Sequence, residues 1–131
     1  MSRDYGRTVE IKAPFDETVA RVREALAGQG FGVLTEIDVA ATLKAKLGEE
    51  MEPYLILGAC NPPLAHRALE ADRSIGLLLP CNVVVRGGGD GVTVVQALDP
   101  QTMVELTGLA ALRPVADEAG RRLDAALDSL A

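Results

Sequence analysis

The sequence predicts an α+β domain built as a two-layer sandwich, a mixed sheet of about five to six strands with helices mainly on one face. Three observations predict it. Segments with the alternating or continuous apolar pattern of strands are interleaved with segments whose apolar residues recur at spacings of three and four, the helical period. Two of the helical segments carry strong apolar stripes, which need a common surface to cover them. The apolar fraction of 48% against 24% charged residues is that of an ordinary globular chain, so a packed core is expected. With 131 residues and no linker or repeat, residues 1–131 read as a single domain. The expected element order is β-α-β-α-β-α-β-β-α-α.

Arg7 to Lys12 alternates polar and apolar residues and reads as a half-exposed strand with Val9 and Ile11 inward, broken by Ala13-Pro14. Asp16 suits the N-cap of the next helix, because its carboxylate can accept from free first-turn amides. Phe15, Val19, Val22 and Leu26 fall on one face of that helix, and Gly28 and Gly30 end it. Phe31 to Ile37 reads as a second strand with Phe31, Val33, Thr35 and Ile37 on one face and Glu36 on the other. Asp38 then caps a short helix, Val39 to Leu47. Glu36 and Asp38 are better explained as a solvent face and a cap than as a paired-carboxylate site, since no base or metal ligand lies near them in sequence.

Gly48 to Pro53 is an acidic turn. Tyr54 to Ala59 is continuously apolar, the pattern of a central strand covered on both faces. Asn61 suits the cap of a short helix from Pro62 to Ala71, with Pro62 in the first turn, where a missing N–H costs nothing. Leu64, Ala65, Ala68 and Leu69 face the core from it. Ile75 to Leu79 reads as extended, and Pro80 interrupts it. Val83 to Arg86 resumes as strand, Gly87 to Gly91 forms a hairpin loop, and Val92 to Leu98 returns. The glycine run holds no lysine and no helix follows it, so it is not a phosphate loop. Asp99-Pro100 opens a helical turn to Thr107, ended by Gly108. A last helix to Leu130 turns Ala116, Ala119, Leu123, Ala126 or Leu127, and Leu130 inward.

The chemistry concentrates around two cysteines in a shared context, each after an apolar run and before an asparagine: Cys60-Asn61 and Cys81-Asn82. The candidate thiol or ligand site is Cys60, Cys81, His66, Asn61 and Asn82. A helix N-terminus beside Cys60 would favour its thiolate, but Pro62 and Pro63 remove two of the amides that would face the sulfur. If the two cysteine-bearing strands are neighbours, the sulfurs could approach as a reversible dithiol. A metal would need a further ligand, and His66, the single histidine, is the available one. Packing as small buried apolar side chains remains the leading explanation for both sulfurs. Ser2, Ser74 and Ser129 lack a nucleophile elbow. No catalytic set is evident, and the sequence names neither a cofactor nor a metal.

A net charge of −6 disfavours nucleic acid and anionic membrane surfaces. The first residues lack the apolar core of a signal peptide, and the longest apolar runs, near residues 75 to 85, are broken by Gly76, Pro80 and Asn82. The expected location is the cytoplasm, where thiols stay reduced.

Four segments together resemble a bacterial family, the domain of unknown function numbered 302. They are Gly30 to Val39, Leu57 to Pro62 with Ala65 and Ala68-Leu69, Gly76 to Val85, and Asp99-Pro100. The resemblance spans essentially the whole chain. It implies a two-layer α+β domain that commonly dimerises, and it implies no catalytic residues. The expected function is a small, cytoplasmic, non-enzymatic homodimer that binds a small ligand or another protein. The alternative is a thiol-handling or metal-binding protein that uses Cys60 and Cys81.

Overall fold

The computed structural model describes residues 5–131. Met1 to Asp4, including Ser2 and most of the segment searched for a signal peptide, lie outside the described residues. The strands are β1 (Gly6–Ile11), β2 (Gly32–Asp38), β3 (Tyr54–Cys60), β4 (Cys81–Gly89) and β5 (Val92–Leu98). The helices are α1 (Phe15–Gly28), α2 (Val39–Leu47), α3 (Pro62–Ala71), α4 (Gln101–Thr107) and α5 (Arg113–Asp128). The α+β class and the expected alternation of elements are observed.

The strands form one sheet in the order β1-β5-β4-β3-β2. Every neighbouring pair is antiparallel, where a mixed sheet was expected. Helical connections suggested parallel crossovers, but α2 and α3 return the chain to an adjacent antiparallel position. Antiparallel sheets tolerate one uncovered face, and that corrects the reading of β3. Its neighbours are β2 and β4, yet Tyr54 and Ile56 on its outer side are only half-buried. The run is continuously apolar because the open face of the sheet is itself partly apolar.

Three local departures have physical causes. Helix α1 starts at Phe15 after Pro14, so Asp16 sits in its first turn rather than capping it. In β2 the register shifts between Val33 and Thr35. A bulge adds a residue and reverses the side-chain alternation beyond it. Phe31 and Val33 therefore face the core, while Thr35 and Ile37 face the open side, opposite Gly58 and Ile56. Ile75 to Leu79, expected as extended, falls mostly in a 3₁₀ turn, Arg73–Leu78, started by Asp72, whose carboxylate accepts from the Ser74 N–H. The hairpin between β4 and β5 turns on Asp90-Gly91, with φ of 54° and 76°. Two central residues of positive φ match the twist of the flanking strands, and an Asp-Gly pair suits them.

The apolar residues gather in two clusters. One lies between the sheet and the paired helices α1 and α5, and includes Val22, Leu26, Leu57, Val83, Val95 and Leu123. The other lies beside the sheet, where Leu64, Ala68, Ile75, Met103, Leu112 and Ala116 bring α3 and α4 against the first half of α5. Helix α5 contributes to both, Leu123 and Leu127 to one and Val115 and Ala119 to the other.

Candidate functional site

A cavity of about 270 Å³ lies at the seam between the two clusters. Phe31, Ala59 and Cys81 come to it from the sheet cluster, and Leu64, Met103 and Val115 from the other. Strand β3 ends here because Asn61, Pro62 and Pro63 follow Cys60. The prolines lack the N–H a ladder needs, and they fit the first turn of α3. The Asn61 Oδ1 accepts from the Leu64 N–H at 3.3 Å, the cap expected from sequence. Strand β4 opens at Cys81, just after Pro80, so both cysteine-asparagine steps reach the same end of the sheet.

Cys60, Asn61 and Cys81 all line the cavity. The register sets Ala59, not Cys60, opposite Cys81. Adjacent residues on a strand point to opposite faces, so the two sulfurs are not direct partners, and the expected cysteine pair is not formed. Both cysteines are free thiols, Cys60 half-buried and Cys81 buried. Burial pushes the Cys81 thiol up from 9.0 to about 11, and charge on Cys60 adds a smaller upward push.

His66 and Asn82 are not brought to the cavity. Leu64 and Ala68 define the inward side of α3, and His66, midway between them, falls on the outward side. Its Nδ1 lies 3.3 Å from the Glu70 carboxylate, in solvent. Asn82 pairs with Gly58 and lies exposed beside Tyr54, Val84 and Gln96, in a depression on the open side of the sheet. Among the described residues no group of three or more His, Cys, Asp or Glu side chains is placed to hold a metal ion.

The model of the family described as "Domain of unknown function DUF302" matches residues 7–130. The chain belongs to the DUF302 family. A crystal structure of a conserved DUF302 protein from Bacillus stearothermophilus is similar at 32% identity. The match covers 98% of this chain and 100% of that one, with a TM-score of 0.90. No protein of curated function matches. The resemblance read from the four segments is thus borne out over nearly the full length.

Within this DUF302 fold, several cavity residues escaped sequence reasoning. Met103, Val115 and Ala119 arrive from α4 and α5, far from the cysteines in the chain. A usable signal was present in Ala59, Ala65, Ala68 and Ala119, which stand at inward positions where larger aliphatic side chains would fill the space. The cavity wall carries no Asp, Glu, Lys, Arg or His side chain. An ion taken into such a site would lose water without compensation. Among the described residues no helix is long and apolar enough to cross a membrane.

Proposed function

We propose that the chain is a small, non-enzymatic cytoplasmic module that holds an apolar small molecule in the seam cavity and works as a homodimer. The observation that carries this reading is the cavity itself, about 270 Å³ with no charged side chain in its wall. An apolar cavity of about 150 Å³ suffices for benzene, so this one suits a ligand of roughly ten or eleven heavy atoms by the same ratio. Enclosing a ligand there gains the hydrophobic free energy of both surfaces, about 25 cal/mol per Å² removed from water. Cys60, Asn61 and Cys81 are its polar atoms, and two free thiols suit a reducing compartment. The homodimer draws support from the row Ile37, Ile56 and Val84 across the uncovered sheet face.

Titration with isopropylbenzene, followed by NMR, tests the cavity. Saturable shifts are expected at Phe31, Leu64, Met103 and Val115, and they should be lost in Ala65→Leu, which fills the space. Shifts scattered over the surface, or unchanged in that variant, would refute the reading.

A thiol-handling reading competes, because half-buried Cys60 stands on the cavity wall. Alkylation of Cys60 at an ordinary rate and pH dependence would remove it.

A further inference from the structure

Resting on the apolar-cavity reading, we propose that the ligand is an amphiphile, with an apolar tail that enters the seam cavity and a single polar head that stays in water beyond Leu34. Burial divides the cavity wall into a floor and a rim. Phe31, Ala68, Met103 and Val115 are buried, whereas Ala65, Leu69 and Leu79 are half-buried and Leu34 is 68% exposed. The cavity is therefore open to solvent on the side of β2. Leu34 reaches it as the extra residue of the β2 bulge, between paired Val33 and Thr35, and a bulge re-aims a side chain. An occupant that fills the cavity keeps one end wet at this rim. A polar head is satisfied there, while a hydrocarbon leaves apolar surface in water.

The interior offers a polar group no partner, which fixes the orientation. The wall carries no charged side chain. Asn61 is its one amide, and that amide is turned elsewhere: Oδ1 accepts from the Leu64 N–H, and Nδ2 lies beside Gly30, which is not in the wall. Among the described residues no buried side-chain nitrogen or oxygen lacks a hydrogen-bond partner. Helix N-termini attract anions through free amides, but the first turn of α3 has none to offer. Pro62 and Pro63 carry no N–H, the Leu64 N–H is used by Asn61, and the Ala65 N–H is bonded to the Asn61 carbonyl at 2.9 Å. The thiols of Cys60 and Cys81 are weak donors and acceptors. A hydroxyl or carboxylate carried to the floor would lose its water without replacement, so the tail goes in and the head remains at the rim.

Isopropylbenzene, 1-hexanol, 1-octanol, 1,8-octanediol and octanoate, each titrated into the full chain and followed at the Met103 methyl group, separate the possibilities. 1-Octanol is expected to bind about four- to fifteenfold more tightly than 1-hexanol, for two further methylenes taken out of water. 1,8-Octanediol is expected to bind at least about fivefold more weakly than 1-octanol, because its second hydroxyl must be buried unpaired on the floor. Leu34→Lys places a cation where the head stands, at an exposed position where the fold tolerates it. It should raise the affinity for octanoate relative to 1-octanol by roughly two- to fivefold over the wild-type ratio. No gain from 1-hexanol to 1-octanol, equal affinity for 1-octanol and the diol, or an unchanged ratio in Leu34→Lys would each overturn the assignment. Failure of 1-octanol alongside saturable binding of isopropylbenzene would overturn it and leave the cavity reading standing. Failure of every probe would instead overturn the cavity reading on which it rests.

Discussion

Cys60 and Cys81 flank the same cavity, but their surroundings give them different chemistry. Cys81 is buried and its thiol is pushed up to about 11, so it stays protonated and unreactive at neutral pH. Cys60 is half-buried. Iodoacetamide at pH 8 is expected to label Cys60 in the native protein and Cys81 only after unfolding, as read by peptide mass spectrometry. The raised pKa also has a thermodynamic sign. The unfolded thiol ionises near 9.0 and the folded one near 11, so between these values the unfolded state has lost the proton and the folded state keeps it. Cys81 thus contributes stability that is fully present below pH 9.0 and declines up to about pH 11, by at most about 1.4 kcal/mol per pH unit. Denaturant titrations should show a steeper loss of stability over that window in the wild type than in Cys81→Ala. Gly58 is a third residue fixed by its surroundings. A Cβ there would overlap Thr35 Oγ1 and lie 2.8 Å from Pro80 Cγ. Gly58→Ala should destabilise by about 1–3 kcal/mol, and adding Thr35→Ala should recover part of it, which a double-mutant cycle measures. The glycine was visible in the sequence. The reason for it was not, because Thr35 and Pro80 are brought to it by strand pairing.

Elements with a strong local signal were legible. The apolar stripe of α5, the Asp38 cap of α2 and the Asn61 cap of α3 all follow from residue spacing and side-chain chemistry within a few positions. Asn61→Ala removes the cap of α3 and should cost about 0.5–2 kcal/mol. Asn61→Asp keeps the acceptor but sets a carboxylate at a position only 9% exposed, so it should also lose stability, increasingly as pH rises through the carboxylate range, as thermal unfolding measures. The 3₁₀ turn at Arg73–Leu78 was misread because a short apolar run fits a strand as well as a buried turn. The bulge in β2 left no mark in the sequence. Leu34 carries nothing that identifies an extra residue, and only pairing with β3 shows that Thr35 and Ile37 have changed sides. The consequence is that Ile37 stands 50% exposed on the open face. Of the site, Cys60, Asn61 and Cys81 were legible, while Asn82 and His66 lie elsewhere and the walls from α4 and α5 were not visible, since long-range packing brings them in.

At the scale of the whole molecule, the sheet presents helices on one side and a partly apolar surface on the other. Strand order lay beyond the sequence, because β1 and β2 are consecutive in the chain yet form the two opposite edges. If the uncovered side meets a second copy, light scattering coupled to size exclusion should give twice the chain mass at micromolar concentration. Ile37→Lys should then give the monomer mass while the cavity still binds isopropylbenzene. A monomer in the wild type would end the dimer proposal and leave the cavity untouched.

Helix α5 spans both clusters, and the cavity interrupts the packing where they meet. If the cavity holds a ligand, the same opening is also a joint between the two clusters. Contacts missing at the joint should leave α3 and α4 more loosely coupled to the sheet than the shared helix alone would suggest. An occupant that touches Phe31 on one side and Leu64 and Met103 on the other splices the two bodies together. Amide hydrogen exchange should then slow in α3 and α4 when isopropylbenzene is bound, with little change along β1 and β5, so that occupancy is read out as stiffness at one end of the molecule.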